Sequence, residues 1–337
     1  MLKTVHTGEK CEDDRQDEKR MKNEKKFTYA ILAYKQRTYL IDQLFSIRYQ
    51  ILKFGTEWEN HLLVIDDASK DGTIEAAEAW IEEYPLFQTV NITENEENLG
   101  TVKTYLKALH MLKTRKFKIL AADDLYYKNN IYHALRKDCL VISPVIRFDG
   151  MHILNETFWG NYRMLLGQKR LKALLQDEFH ECWIIETPGT FWDLAYLQDD
   201  IDSYLDGFKY VEDVRLFHYL IVRTAIKVKY DALPYVLYRM GGVSTTTEKS
   251  SRVSDYNAEA QKLENEMFDR KKRLSRGINI YRYYHGLKWR YYRYLAPRVR
   301  KEAKRFEAYR QKELVRAGRF LEMIRKESSS WERTHGK

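Results

Sequence analysis

Carboxylates carry the first legible chemistry in this 337-residue sequence. Asp66 and Asp67 end the apolar run 62–65 and open the turn Ala68-Ser69-Lys70-Asp71-Gly72-Thr73, while Asp123 and Asp124 end a second run, Ile119-Leu120-Ala121-Ala122. Carboxylates of this kind accept N–H and O–H donors or hold a hard divalent cation. Two acid pairs delivered to one place repel each other unless a cation or a donor-rich ligand lies between them. A divalent metal holding a diphosphate is therefore the economical reading of the two pairs together.

The first turn alone admits three readings. Asp67, Ser69, Asp71, Gly72, Glu75 and Glu78 fall at positions 1, 3, 5, 6, 9 and 12 of a calcium-binding loop spanning 67–78. Asp71-Gly72 with Thr73 also spells a plain turn and helix N-cap. A calcium hand needs an entering helix, and His61-Leu62-Leu63-Val64-Ile65 reads as a buried strand instead. The third reading is a ligand-binding turn on the carboxyl edge of an open sheet.

The elements that position these acids follow from periodicity. Strand-like runs at 27–34, 61–65, 86–92, 117–122 and 140–145 alternate with helix-period segments carrying Leu40, Leu44, Ile47 and Ile51, then Ile74, Ala77, Ile81 and Tyr84, then Val102, Tyr105, Leu109 and Leu112. Such alternation predicts a doubly wound, mainly parallel α/β sheet with right-handed crossovers. The acid pairs then share its carboxyl edge. Beyond Gly150 the alternation gives way to short β-like runs at 226–230 and 235–240, and from Asp255 the chain reads helical. Residues 1–26 read as a charged, disordered leader.

Asn98-Leu99-Gly100 with Lys103, Tyr210-Val211-Glu212-Asp213, and Tyr238-Arg239 with Gly241 and Ser244 add to the acid pairs. Together with Ala30-Ile31-Leu32-Ala33-Tyr34-Lys35 and the turn 64–73, they make 27–247 resemble the family 2 glycosyltransferases of GT-A fold, of the bacterial polysaccharide type. The resemblance implies inverting transfer of a sugar from a nucleotide-diphosphate sugar to an acceptor hydroxyl, with Mn²⁺ or Mg²⁺ as the divalent cation. It implies Asp213 as catalytic base beside Glu212, and Asp123 with Asp124 at the metal. Ala33, Tyr34, Asp66, Asp67, Gly100, Lys103 and Arg239 would meet the nucleotide diphosphate, and Gly189 and Trp192 the acceptor. Three positions depart from the family pattern, the first being Lys35 in place of the usual Asn. Ala121 stands where the metal motif has its first Asp, which leaves a catalytically inactive nucleotide-sugar binder as the alternative; Ala68 replaces a glycine, a change that a turn without positive φ tolerates.

The net charge of +9 is unevenly spread: 270–337 holds 22 Lys and Arg against 6 Asp and Glu, leaving 36 against 43 before it. A mildly acidic body argues against nucleic acid as a partner. Within the basic helical region 248–337, a tyrosine and leucine stripe over 278–300 admits two readings, a membrane-surface anchor near a glycan or lipid-linked acceptor, or a face packed on the catalytic domain. Three cysteines without a framework and no apolar run long enough to span a bilayer suggest a cytoplasmic protein, peripheral on the inner membrane face. The oligomeric state is not legible.

Overall fold

The computed structural model describes residues 25–135, 138–155, 172, 185–241, 251–272 and 297–335. The first half alternates as the periodicity predicts: β1 (Lys26–Ala33), α1 (Arg37–Gln50), β2 (Glu59–Asp66), α2 (Thr73–Glu83), β3 (Thr89–Glu94), α3 (Thr101–Met111) and β4 (Lys116–Ala121). All neighbouring pairs in the sheet β3-β2-β1-β4 are parallel. β3 begins three residues later than the apolar run suggests, because Pro85 follows the end of α2 and the chain turns before it can pair.

Side chains alternate across this sheet and build two cores. Tyr29, Ile31, Leu62 and Val64 face Leu40 and Leu44 of α1 and Ala77 and Trp80 of α2. Ala30, Leu63, Ile65 and Ile119 face Val102, Tyr105, Ala108 and Leu109 of α3. Helices therefore cover both faces, and each fully buried aliphatic or aromatic side chain contributes about 1.5–3 kcal/mol. A strand buried on both faces reads as a continuous apolar run, as 62–65 does.

The remaining short strands are β5 (Leu125–Tyr126), β6 (Leu140–Ile142), β7 (Ile146–Phe148), β8 (Thr190–Phe191), β9 (Val228–Tyr230) and β10 (Val236–Arg239). They form two small mixed sheets, β5-β10-β7 and β8-β6-β9. This corrects the expectation that 140–145 continues the parallel sheet. Asp193 bridges Lys116 beside the open edge of β4, and β6 pairs with β8 rather than with β4 itself.

Besides the short helices Ile131–Leu135 and Ile201–Leu205, the chain forms α4 (Asp213–His218), α5 (Ser251–Lys272) and α6 (Pro297–His335). α6 returns to the body, placing Phe320, Leu321, Ile324 and Trp331 in the core shared with α1. Phe320 meets the rings of Tyr49 and Tyr127 at 5.0 and 5.5 Å, and Trp331 Nε1 donates to Glu83 at 2.7 Å. Of the tyrosine stripe over 278–300, residues 278–296 lie outside the described residues, as do the leader through residue 24, Cys11, Cys182 and Ser244. No helix among the described residues is long and apolar enough to cross a membrane.

Candidate functional site

A cavity of about 470 Å³ opens at the carboxyl ends of β1 and β4. β1 leads through α1 to β2 on one side, whereas β4 arrives on the other, so the strand order reverses between them. An open α/β sheet leaves a crevice at such a reversal, and this volume suits a small-molecule ligand. Leu32, Ala33 and Tyr34 from the end of β1, and Ala121, Asp123 and Asp124 from the end of β4, form one wall. Asp67, Glu212, Asp213 and Arg239 also line it, so residues far apart in sequence converge there.

The turn after β2 is built inward. Asp66 is 1 % exposed, and its carboxylate accepts the N–H of Ser69 at 2.7 Å and the Ser69 hydroxyl. Burial raises its pKa, with the Ser69 bonds opposing that shift. Asp66 therefore braces the turn and does not line the cavity, which corrects its expected place among the nucleotide contacts. Asp67 does line it, yet its carboxylate already accepts from Asn95 Nδ2 at 2.8 Å and from the backbone N–H groups of Leu99 and Gly100, both at 2.9 Å.

The calcium-loop reading fails on the same geometry. β2, not a helix, enters the turn, and the first carboxylate of the loop is bound to three donors of the chain itself. The plain turn is what forms, with its cap shifted: Gly72 is the N-cap, and Thr73, expected there, is the first helical residue, its N–H and hydroxyl donating to Asp71 at 3.1 and 2.5 Å.

Ala68 sits at φ +63° and Lys70 at +52°, so the turn does use the left-handed region. The expectation of a turn without positive φ is thereby overturned. An L-residue there costs about 1–2 kcal/mol, which Asp66 and Ser69 offset by fixing the loop. Ala68→Gly is expected to raise stability by about 0.5–1 kcal/mol after the extra unfolded-state entropy of glycine. A higher denaturation midpoint at unchanged m value is the readout, and a lower midpoint would contradict the strain argument.

Asp123 is partly open to the cavity, and burial raises its pKa while the Arg239 guanidinium opposes the shift. Asp124 is 2 % exposed, with Oδ1 accepting the Arg239 backbone N–H at 2.9 Å. Burial first, and then the charge on Asp123, push Asp124 well above the usual carboxylate range. The Arg239 side chain returns to the same turn, Nε donating to the Asp123 carbonyl at 3.0 Å. Among the described residues no group of three or more His, Cys, Asp and Glu is arranged to hold a metal ion. The donor set fits a cation of the Mg²⁺ or Mn²⁺ type only in the open manner, with one or two carboxylates and the remaining places filled by phosphate and water.

Glu212 and Asp213 stand where α4 begins, each partly open to the cavity but enclosed by protein. Asp213 Oδ1 accepts the Val214 N–H at 2.7 Å, and Thr187 Oγ1 approaches Oδ2 at 3.5 Å. Burial pushes the carboxyl of Asp213 up, and burial with the charge of Asp213 pushes Glu212 up to about 8. The two neighbouring carboxyls, both raised, titrate as a pair that holds on to one proton to higher pH than an exposed carboxylate would.

Other expected positions sit elsewhere. Gly100, at φ +82°, packs on Lys209, whose carbonyl a Cβ would meet at 2.9 Å. The Val102 N–H also donates to that carbonyl at 3.0 Å, tying the first turn to the Glu212 segment. Lys103 points to solvent, and neither it nor Gly100 lines the cavity, where the neighbouring Thr101, Thr104 and Tyr105 do. Gly189 is buried against Ser143, whose carbonyl a Cβ would meet at 2.2 Å. Trp192 is 6 % exposed and stacks edge-on with Phe117 at 4.8 Å. Both corrections have one cause: the aromatic and the glycine serve packing beneath the cavity, whose surface is formed there by Thr187 and Pro188.

Sequence reasoning missed several participants. Lys118, buried, donates to the carbonyls of Thr187 and Thr190 at 2.9 and 2.8 Å, and burial lowers its pKa to about 7. Tyr256 of α5 lines the cavity, and Glu259 one turn on accepts the N–H groups of Lys209 and Tyr210 at 2.8 and 2.7 Å. A lysine inside an apolar strand is a signal that could have been read. Glu259 is one of several acids on its helix and offers none.

No curated protein matches the chain. Among solved structures, residues 1–349 of TarS from S. aureus in complex with UDP-GlcNAc share 17 % identity at a TM-score of 0.48, over 68 % of this chain and 61 % of that one. The mannosyltransferase PcManGT from Pyrobaculum calidifontis, in complex with GDP-Man and Mn²⁺, shares 15 % at 0.45, over 65 % and 58 %. The chain thus spans about three fifths of the length of each. Residues 28–186, from β1 to the wall of the cavity, match the family model described as Glycosyl transferase family 2.

Proposed function

We propose that the chain is an inverting glycosyltransferase that moves a sugar from a nucleotide-diphosphate sugar to an acceptor hydroxyl. The observation that carries this reading is the convergence of Asp123, Asp213 and Arg239 on one cavity at the sheet's switch point. As the bond from the anomeric carbon to the diphosphate breaks, the acceptor oxygen bonds to that carbon from the opposite face. The acceptor proton passes to the Asp213 carboxylate, and the bond electrons leave with the diphosphate. Glu212, still protonated, spares Asp213 a second neighbouring charge. Arg239 faces the departing phosphates through charge-assisted hydrogen bonds. A divalent cation held by Asp123 together with the phosphates would neutralise the charge that grows on the leaving group.

Asp67, besides holding the 95–100 loop, retains lone pairs toward the cavity for the nucleoside, and Ala33 and Tyr34 line the same wall. The acceptor is a glycan or a lipid-linked hydroxyl, and a cytoplasmic, membrane-peripheral setting in polysaccharide synthesis rests on the basic stripe over 278–300.

Titration with nucleoside diphosphates in the presence of Mn²⁺, followed by a screen of nucleotide sugars for release of nucleoside diphosphate, tests the reading. Binding in the micromolar to millimolar range and cation-dependent release from one donor are expected. Binding without release from any donor, with or without acceptors, would favour the inactive binder that Ala121 suggests. No nucleotide binding at all would overturn both.

A further inference from the structure

The surroundings of Arg239 hold more than its place in the cavity requires. Its side chain is 8 % exposed, with the guanidinium 4.0 Å from the Tyr39 ring and 4.6 Å from that of Phe148. Nε is fixed by the Asp123 carbonyl. Nη2 is buried without a hydrogen-bond partner and lies 4.0 Å from Oδ2 of Asp42 on α1. Asp42 is itself buried, and its other oxygen, Oδ1, accepts the hydroxyl of Ser328 on α6. Ser328 is 4 % exposed and belongs to the stretch of α6 between the core residues Ile324 and Trp331.

A buried carboxylate is costly unless it is paired and hydrogen-bonded, and Asp42 has Ser328 as its hydrogen-bond donor with the Arg325 and Arg239 guanidiniums as neighbouring positive charges. The arrangement is asymmetric. Ser328 holds Asp42 directly, whereas Asp42 stands off from Arg239 at a distance that attracts the guanidinium without taking its free N–H. A direct bidentate pair would occupy the fork that a phosphate needs. At 4.0 Å the carboxylate attracts the buried Nη2 side of the guanidinium without bonding to it, and so orients a side chain that lines the cavity.

We propose that Asp42 and Ser328 are positioning residues for Arg239, so that the C-terminal helix α6 sets the geometry of the charge that meets the donor's diphosphate. The inference rests on the transferase reading above and extends it to two residues outside the cavity and to a helix beyond the 28–186 family match. Neither residue lines the cavity, so their removal weakens recognition of phosphate and leaves recognition of the nucleoside intact. Loss of general packing would weaken both alike.

The test compares the affinity of the full-length protein for a nucleoside diphosphate and for the corresponding nucleoside, in the unaltered chain and in Asp42→Asn, Ser328→Ala and Ser328→Thr. Asp42→Asn keeps the shape and an acceptor for Ser328 but removes the charge. Its diphosphate affinity is expected to fall by about tenfold, the scale of one partly buried charge interaction, and that of Ser328→Ala by about threefold. Ser328→Thr, which restores the hydroxyl, is expected to recover most of the loss, with nucleoside affinity within about twofold throughout. In an Arg239→Lys background, Asp42→Asn is expected to change diphosphate affinity little, because the fork it positions is gone. Unchanged diphosphate affinity in both single variants, or an equal fall for nucleoside and diphosphate, would overturn the proposal. Absence of diphosphate binding in the unaltered protein would instead overturn the transferase reading, and this one with it. Should Asp42→Asn fail to fold, Ser328→Ala and its threonine rescue decide the matter alone.

Discussion

Asp213→Asn is expected to cut sugar transfer by about 10³–10⁴-fold while leaving nucleoside diphosphate binding within about twofold of the unaltered protein. The amide keeps the shape of the side chain and can still accept the Val214 N–H, so α4 keeps its start. It cannot take the acceptor's proton. The pH profile sharpens the test. Burial raises the Asp213 carboxyl above its ordinary range, so the acid limb of the unaltered enzyme lies above the pH at which an exposed aspartate ionises. Activity rises as pH climbs through that raised value, because only the ionised form is a base. Asp213→Asn erases the limb, whereas Glu212→Gln preserves it. The same pair bears on stability with a definite sign. The folded Glu212 titrates near 8, well above an unfolded glutamate, so the folded state binds the extra proton in between. Its contribution is fully present below the unfolded value and is lost as pH rises through about 8. Glu212→Gln is accordingly expected to unfold at a higher temperature than the unaltered protein above pH 8, by an amount on the order of 2 kcal/mol in free energy, and to match it more closely near pH 5. Near-normal transfer by Asp213→Asn would remove Asp213 from the chemistry.

The sheet was legible because its signal is local and repeated. Short apolar runs such as 62–65, bounded by polar residues, suit strands buried on both faces, and Leu40 with Leu44, or Val102 with Tyr105 and Leu109, mark one helix face each. Acid pairs at the ends of β2 and β4, the two strands that flank β1, fall on one edge of the sheet, and Asp67 and Asp123 do line one cavity. What sequence could not show was the direction in which each carboxylate turns. Asp66 and Asp67 are adjacent letters, yet one is folded onto Ser69 and the other reaches Asn95, Leu99 and Gly100, a choice made by the left-handed residues Ala68 and Lys70. The same limit applied to Trp192, since an aromatic after a loop serves a sugar or a core equally well until Phe117 is seen against it. The short strands β6 to β10 were least legible. Two to four residues carry no period, and their pairing is decided by partners distant in sequence. Ser328 and Asp42, separated by 286 positions, meet only because α6 shares a core with α1.

Asp67→Ala is expected to be the most damaging single change to the fold around the site, lowering stability by about 3–5 kcal/mol and abolishing nucleotide binding. Asp67 is 5 % exposed, and three N–H groups converge on it, from Asn95 Nδ2, Leu99 and Gly100. Asn95 has one other acceptor, Thr104 Oγ1 at 3.3 Å, but no other acceptor is seen for the Leu99 and Gly100 amides among the described residues. A buried donor left without a partner costs about 1–3 kcal/mol, and hydrogen bonds to a charged acceptor stand at the upper end. The loop that would be released runs directly into Thr101, the first residue of α3 and part of the cavity wall. Through the Val102 N–H it also holds Lys209, four residues before Asp213, so slackening at Asp67 reaches the base. Asp67→Asn separates the two duties of the residue. It keeps one oxygen for the loop but turns an NH₂ toward an amide donor, and is expected to cost about 2–3 kcal/mol while retaining a folded sheet. Denaturant unfolding of both variants, beside diphosphate titration, decides the case. If Asp67→Ala unfolded at the same midpoint as the unaltered chain and lost nucleotide affinity alone, Asp67 would be a ligand contact first and a brace second, the reverse of what its three donors imply.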